Sequence, residues 1–128
     1  MLFRALIRTH HMTSRKKITA ISKAAKKYEC AVYLKTGAHP PGVMISECQV
    51  EGMEGLAGWA AAVKRLRYKD YHHVRSEVVN DGQLSLPFGH VKEFETMKAL
   101  AADLDECGVL EWWEEAMGFT RKSDDQGF

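Results

Sequence analysis

Cations and aromatic rings alternate in the middle of the chain, where residues 65–75 read RLRYKDYHHVR. Cations can neutralise phosphates and flat rings can stack on unpaired bases, each stack contributing roughly 1–3 kcal/mol. On a strand, Tyr71, His73 and Arg75 would share one face because successive side chains alternate. The segment therefore predicts an RNA-binding surface made by Arg65, Arg67, Lys69, Tyr71, His73 and Arg75. The alternative interpretation is a solvated helix end followed by an edge strand.

The first 28 residues add to this basic character, since they carry eight cations and no acid, whereas the rest carry ten cations against all 17 acids. Such an asymmetry indicates a nucleic-acid or membrane surface at one end. Lys16, Lys23 and Lys27 fall opposite the apolar stripe of a predicted helix. Tyr33 and Lys35 share one face of the following strand. We expect all five to support RNA binding around an open sheet face.

The sequence lacks the usual motifs for metal binding, serine catalysis and phosphate-binding loops. The six histidines lack metal-ligand spacing, and no serine lies in a GxSxG motif. The glycines at 52, 55 and 58 match neither phosphate-loop fingerprint. Three widely spaced cysteines indicate buried thiols in a reducing compartment. We therefore predict no enzyme activity, no metal, no cofactor and no small-molecule substrate, with Trp59, Trp112 and Trp113 as packing residues.

Length and composition indicate one globular domain. The chain has 128 residues, of which 45% are hydrophobic and 27% charged, and it contains no run of about 20 apolar residues. We therefore expect no membrane partner. Residues 1–13 contain arginines but no acid, and are predicted to be a flexible extension. A mitochondrial presequence or an extra helical turn are the alternatives, and Met12 is a possible alternative start.

Hydrophobic periodicity predicts the order α, β, β, α, β, β, α, α. The first helix carries the stripe Ile18, Ile21, Ala25 and Tyr28. The remaining elements are predicted as strands Cys30–Lys35 and Val43–Cys48, helix Glu51–Arg67, strand Tyr68–Val79, edge segment Gln83–Val91, and helices Phe94–Cys107 and Val109–Met117. This order favours an α+β two-layer sandwich.

Four features then occur in order: a basic opening helix, a Pro-Gly turn into an apolar strand followed by Glu51-Gly52, a helix ending in RLRYKDY, and the closing MKALAADLDECGVLEWWEEAMGF. Together they make residues 14–119 resemble the C-terminal domain of the spliceosomal protein pre-mRNA-processing factor 3, formerly called domain of unknown function 1115. That domain also follows the RWD domain in small RWD-containing proteins. The resemblance implies a ferredoxin-like fold, an antiparallel sheet with helices packed on one face, and contact with small nuclear RNA without chemistry.

The resulting hypothesis is a non-catalytic RNA-binding module for structured RNA with a single-stranded tail. The alternative is a protein-interaction adaptor of the RWD-associated type. Residues 14–119 form the domain, residues 120–128 are predicted to be a disordered tail, and nucleus or cytoplasm is the predicted location.

Overall fold

The computed structural model describes residues 1–49, 53–67 and 70–119. The predicted tail at 120–128 and the candidate Lys69 lie outside the described residues. The described elements are β1 (Leu2–Thr9), α1 (Arg15–Lys27), β2 (Cys30–Lys35), β3 (Gly42–Gln49), α2 (Met53–Arg65), β4 (His72–Val79), β5 (Val91–Phe94), α3 (Met97–Cys107) and α4 (Leu110–Met117).

The first six elements form a βαββαβ unit, which is the ferredoxin-like arrangement. The strands of the sheet lie in the order β4-β1-β3-β2-β5. β1 runs antiparallel to both β3 and β4, and β2 runs antiparallel to β3. α1 and α2 pack together over one side of these strands. The predicted α+β, ferredoxin-like fold class is therefore confirmed.

The predicted sheet is antiparallel, with helices on one face. The C-terminal elements depart from this prediction in two ways. β5 pairs with β2 in parallel, and α3 and α4 cover the side of the sheet opposite α1 and α2. All six residues of β2 are buried, and so are seven of the eight residues of β3. A strand buried on both sides needs a layer on each face, which is why a second pair of helices is required.

The N-terminal residues are part of the sheet, so the prediction of a flexible extension over 1–13 is wrong. β1 lies between β3 and β4, and its partners run from Leu2↔Gln49 to Thr9↔Gly42 on one side. Met12 is also buried and pairs with Gly37. Arg4 is one of the arginines that give this segment its presequence-like composition. It is buried, and it forms an ion pair with Glu47 of β3.

Local signals explain most element ends. Ser14 caps α1 by accepting a hydrogen bond from the backbone N–H of Lys17 at 3.2 Å. Gly108 ends α3 in the left-handed conformation that glycine adopts without strain. Of the predicted edge segment Gln83–Val91, only Val91 belongs to a strand: the edge strand is β5, and Phe94 belongs to it rather than to the next helix. No helix among the described residues is both long and apolar enough to cross a membrane.

Candidate functional site at the junction of α4 and the sheet

The sheet face that the RNA hypothesis needs is not open. Tyr33 is fully buried under α3 and α4, and Lys35 is only 2% exposed. The Tyr33 hydroxyl lies 3.3 Å from Cys107 Sγ and accepts a hydrogen bond from the backbone N–H of Ser85. Burial, followed by the Cys107 contact, raises the pKa of Tyr33. Burial lowers the pKa of Lys35, whose Nζ donates to the His39 carbonyl at 2.6 Å. Neither side chain can reach an RNA.

The other predicted RNA-binding residues that the structure describes are spread over α1, β4 and the stretch between the end of α2 and β4. Lys16, Lys23 and Lys27 are exposed on α1, and Arg65 and Arg67 are exposed at the end of α2. Tyr71 packs half-buried against the α1–α2 cluster, and this burial raises its pKa. His73 pairs with Ile7 and Arg75 with Leu6, so the two side chains lie on opposite faces. A bulge at this point of the ladder breaks the alternation assumed from the sequence.

The face covered by α1 and α2, here called the α1–α2 face, is filled by apolar side chains. Ile7, Val32 and Met44 lie under the helices, and Cys30 and Cys48 are direct partners across β2 and β3. The hydrogen bond to Cys30, together with burial, raises the pKa of Cys48. All three cysteines are free thiols.

Between the two helices, the ring of Tyr28 lies directly against Gly58. A Cβ atom at Gly58 would lie 2.2 Å from Tyr28 Cε1, far inside van der Waals contact. The indole of Trp59 is buried beside them and donates to Ser46 Oγ at 3.3 Å. The space between α1 and α2 is therefore occupied by the protein's own side chains.

The opposite face, here called the α3–α4 face, combines an apolar cluster with a charged network at the β1–β4 end. The guanidinium carbons of Arg4 and Arg75 lie 5.3 and 5.0 Å from the ring centroid of Trp112 on α4. Such cation–π contacts contribute from about 0.5 to 2 kcal/mol, depending on desolvation. Arg75 also donates to the Trp112 carbonyl, and the Trp112 indole N–H donates to Glu77. We call Trp112, Arg4, Arg75 and Glu77 the Trp112 clamp.

A buried ion pair anchors this clamp. Arg4 Nε donates to Glu47 Oε2 at 2.9 Å, and the two side chains are 4% and 2% exposed. Glu47 also accepts hydrogen bonds from the backbone N–H groups of Gln83 and Leu84, and Arg4 donates to the Gln83 side chain. The desolvated charges are thus well paired, as a buried ion pair requires.

Sequence reasoning missed Arg4, Glu47 and Glu77. Arg4 was assigned to the flexible extension, so its role in the sheet was hidden. Arg4 and Glu47 each stand at an inward-facing position of an apolar strand. A charged residue at such a position in two strands is the pattern that could have revealed this ion pair.

The described residues bring no three His, Cys, Asp or Glu side chains together in a way that could hold a metal ion. The charged groups near Trp112 are ion pairs and cation–π partners. Their arrangement fixes the position of α4 on the sheet.

No protein-family model and no curated protein matches the chain. Solved structures do match. Klebsiella pneumoniae BlrP1 with FMN and cyclic diGMP is 14% identical, with a TM-score of 0.54, over 81% of this chain and 29% of that one. The BlrP1 BLUF domain is 12% identical (TM-score 0.55, 87% and 75% covered), and a bacterial light-regulated adenylyl cyclase is 13% identical (TM-score 0.52, 95% and 36% covered).

At these identities the likeness establishes the fold alone, and the chain spans less than a third of BlrP1. The interpretations as a pre-mRNA-processing factor 3 domain and as an RWD-associated adaptor are nevertheless wrong, because the structural neighbours are BLUF domains. The predicted RNA partner is also wrong, because the sheet face that it requires is covered by α3 and α4. The predicted lack of a small-molecule ligand is also at odds with a neighbour that holds FMN.

The residues of this chain do not fit a flavin buried against the sheet. A flavin needs a slot for three fused rings and polar partners along one ring edge, as small-molecule sites provide. Tyr28 and Trp59 fill the α1–α2 face, and Tyr33, Phe94 and Trp113 fill the α3–α4 face. Four depressions of the described residues open at the surface, and none of these four is lined by residues of both α1 and α2.

Proposed function

We propose that this chain is a non-enzymatic regulatory domain that acts on an effector protein through its α3–α4 layer and works without a buried flavin. The observation that carries the proposal is the Trp112 clamp. It couples α4 to the central strand β1 and the edge strand β4 through charges and one indole ring. The strength of such contacts depends on distance and direction, so a shift in either strand changes the position of α4 on the sheet.

The neighbours support a regulatory role. In a light-regulated cyclase the same fold accounts for only part of a longer chain. The free thiols agree with a reducing compartment, and we retain nucleus or cytoplasm as the proposed location.

The outer side of the α3–α4 layer indicates the chemistry of the effector. Glu111 and Glu115 are exposed one turn apart on α4, and Asp105 and Glu106 are exposed at the end of α3. Complementary charge across an interface steers association and excludes wrong partners. We therefore expect the effector to present a basic surface.

The test begins with isolation of native complexes of the full chain and reconstitution of the main one from purified components. Replacing Glu111 and Glu115 by Lys should weaken the reconstituted complex by on the order of tenfold and flatten its dependence on salt. The matched control is Lys16→Glu with Lys23→Glu, which reverses two exposed charges on α1 and should leave affinity unchanged. Equal losses from both pairs, or a greater loss from the α1 pair, would contradict the proposal.

A further inference from the structure

A depression of about 420 Å³ opens at one end of the sheet, beside the C-terminal end of α4. This volume lies within the range of small-molecule sites. Four parts of the fold meet there: the end of β1, the turn before β3, the approach to β4, and the residues that end α4. We call it the sheet-end depression; its lining residues are Arg8, Thr9, His10, Pro40, Pro41, Asp70, His72, Met117 and Phe119.

Arg8 and His72 are direct partners across the β1–β4 ladder, so their side chains stand next to each other on one face. Arg8 is half-buried, and within the described part of the chain its guanidinium makes no hydrogen bond or ion pair. A guanidinium held on a central strand offers a rigid fork of donors that matches phosphate oxygens. The depression thus contains an anion-binding group that no described acid occupies.

His10 adds a second imidazole at the rim. Its Nδ1 lies 3.7 Å from Asp70 Oδ2, so the acid at the rim faces this ring rather than Arg8. His10 and the exposed His72 both line the depression. Together with Arg8, they give three nitrogen-bearing side chains around one concave surface.

The remaining wall is apolar and aromatic. Phe119 is 46% exposed, and its ring meets that of the buried Trp113 edge-on at a centroid distance of 5.5 Å. Met117 lies beside it in the lining. A flat, partly open ring in the same depression as an anion-binding group suits a ligand that carries both a phosphate and a planar ring.

We propose that the sheet-end depression binds a nucleoside monophosphate, with the phosphate on Arg8 and the base against Phe119. Met117 is the last residue of α4, Phe119 follows its C-cap, and Trp113 holds that helix in the core. A bound ligand would therefore contact the helix that the proposed regulatory function uses. The regulatory consequence rests on that proposed function, whereas binding itself does not.

The test is calorimetric titration of the isolated full chain with AMP, GMP, inorganic phosphate and the parent nucleosides. We expect saturable binding of at least one monophosphate, weaker binding of inorganic phosphate, and no measurable binding of nucleosides. Arg8→Gln should weaken binding roughly ten- to a hundredfold, as loss of a charged hydrogen bond predicts. Phe119→Ala should weaken it by up to about tenfold.

Arg8→Lys and Lys23→Gln provide the controls. Arg8→Lys keeps the charge in the strand and should recover part of the affinity. Lys23→Gln removes an exposed cation from α1 and should change nothing; circular dichroism confirms that each variant folds. Failure of both monophosphates to bind, equal binding of nucleosides and monophosphates, or no effect of Arg8→Gln would overturn the inference. Because no effector is present in these titrations, such a result leaves the effector experiment to decide the regulatory proposal separately.

Discussion

The two faces of the sheet are both covered by a pair of helices, but they are held in different ways. The α1–α2 face is an apolar cluster with one buried side-chain hydrogen bond between helix and sheet, from Trp59 to Ser46, and an exposed ion pair between Arg15 of α1 and Glu93 of β5. The α3–α4 face adds the buried Arg4–Glu47 pair and the Trp112 clamp to its apolar cluster. Apolar packing depends mainly on volume, whereas a charged network depends on distance and direction. The first face is therefore suited to stability and the second to transmitting a change in position.

Removing residues 2–9 should have the largest effect, because it takes away the strand that joins β3 to β4 and contributes to both faces. We expect complete loss of cooperative unfolding, since neither half of the sheet retains its neighbour. Circular dichroism and thermal unfolding of the truncated chain provide the measurement. A truncated chain that still unfolds cooperatively near the wild-type midpoint would show that β1 is dispensable.

Trp59→Ala and Trp113→Ala test whether the two faces contribute equally to stability. Each indole is 3% exposed, and emptying such a site costs about 3–5 kcal/mol. Denaturant unfolding should show similar losses. Trp113→Phe should cost less than Trp59→Phe, because Trp113 Nε1 has no hydrogen-bond partner among the described residues. Reversal of that order would mean that the Trp59–Ser46 bond contributes nothing.

Gly58→Ala tests the closure of the α1–α2 face. The added methyl group overlaps the Tyr28 ring, and we expect net destabilisation of about 1–3 kcal/mol. In a Tyr28→Ala background the same change should become stabilising by up to about 1 kcal/mol, since alanine favours the helix. Gly55→Ala is the matched control, because its nearest contact would be an ordinary 3.6 Å. Destabilisation by Gly58→Ala that persists without Tyr28 would show that another group fills this space.

The smallest effect concerns the pH dependence of stability. Burial lowers the pKa of Lys35, so between that value and the unfolded value of about 10.4 the unfolded chain binds more protons and stability rises with pH. Lys35→Met should lose this rise. For Lys92 the hydrogen bond to Asp103 raises the pKa, so its contribution is lost as pH rises through the folded value. The unfolding midpoint of each variant is measured across alkaline pH. With rising pH, Lys35→Met should gain less stability than wild type, whereas Lys92→Met should lose less.

The fold was largely predictable because its elements follow local rules. The Ile18, Ile21, Ala25 stripe and the uninterrupted CAVYLK strand appear in the structure as expected from their spacing. Trp113 points into the core, as its phase on the helix predicted. β1 was missed because two arginines in eight residues resemble a basic tail, and the pairing of Arg4 depends on Glu47, 43 residues away. The candidate sites share this origin, since the Trp112 clamp and the sheet-end depression assemble residues from β1, β4 and α4 that no local pattern connects.

The absorption spectrum of the full chain tests the central claim most directly, after expression in riboflavin-supplied cells and again after incubation with FMN, FAD and riboflavin. With Tyr28 packed against Gly58 and both sheet faces filled, we predict no flavin absorbance after purification, no saturable quenching of flavin fluorescence, and no spectral change on illumination. Retention of a flavin in equimolar amount, with a spectrum that shifts in light, would contradict the closed α1–α2 face and the flavin-independent function inferred from it.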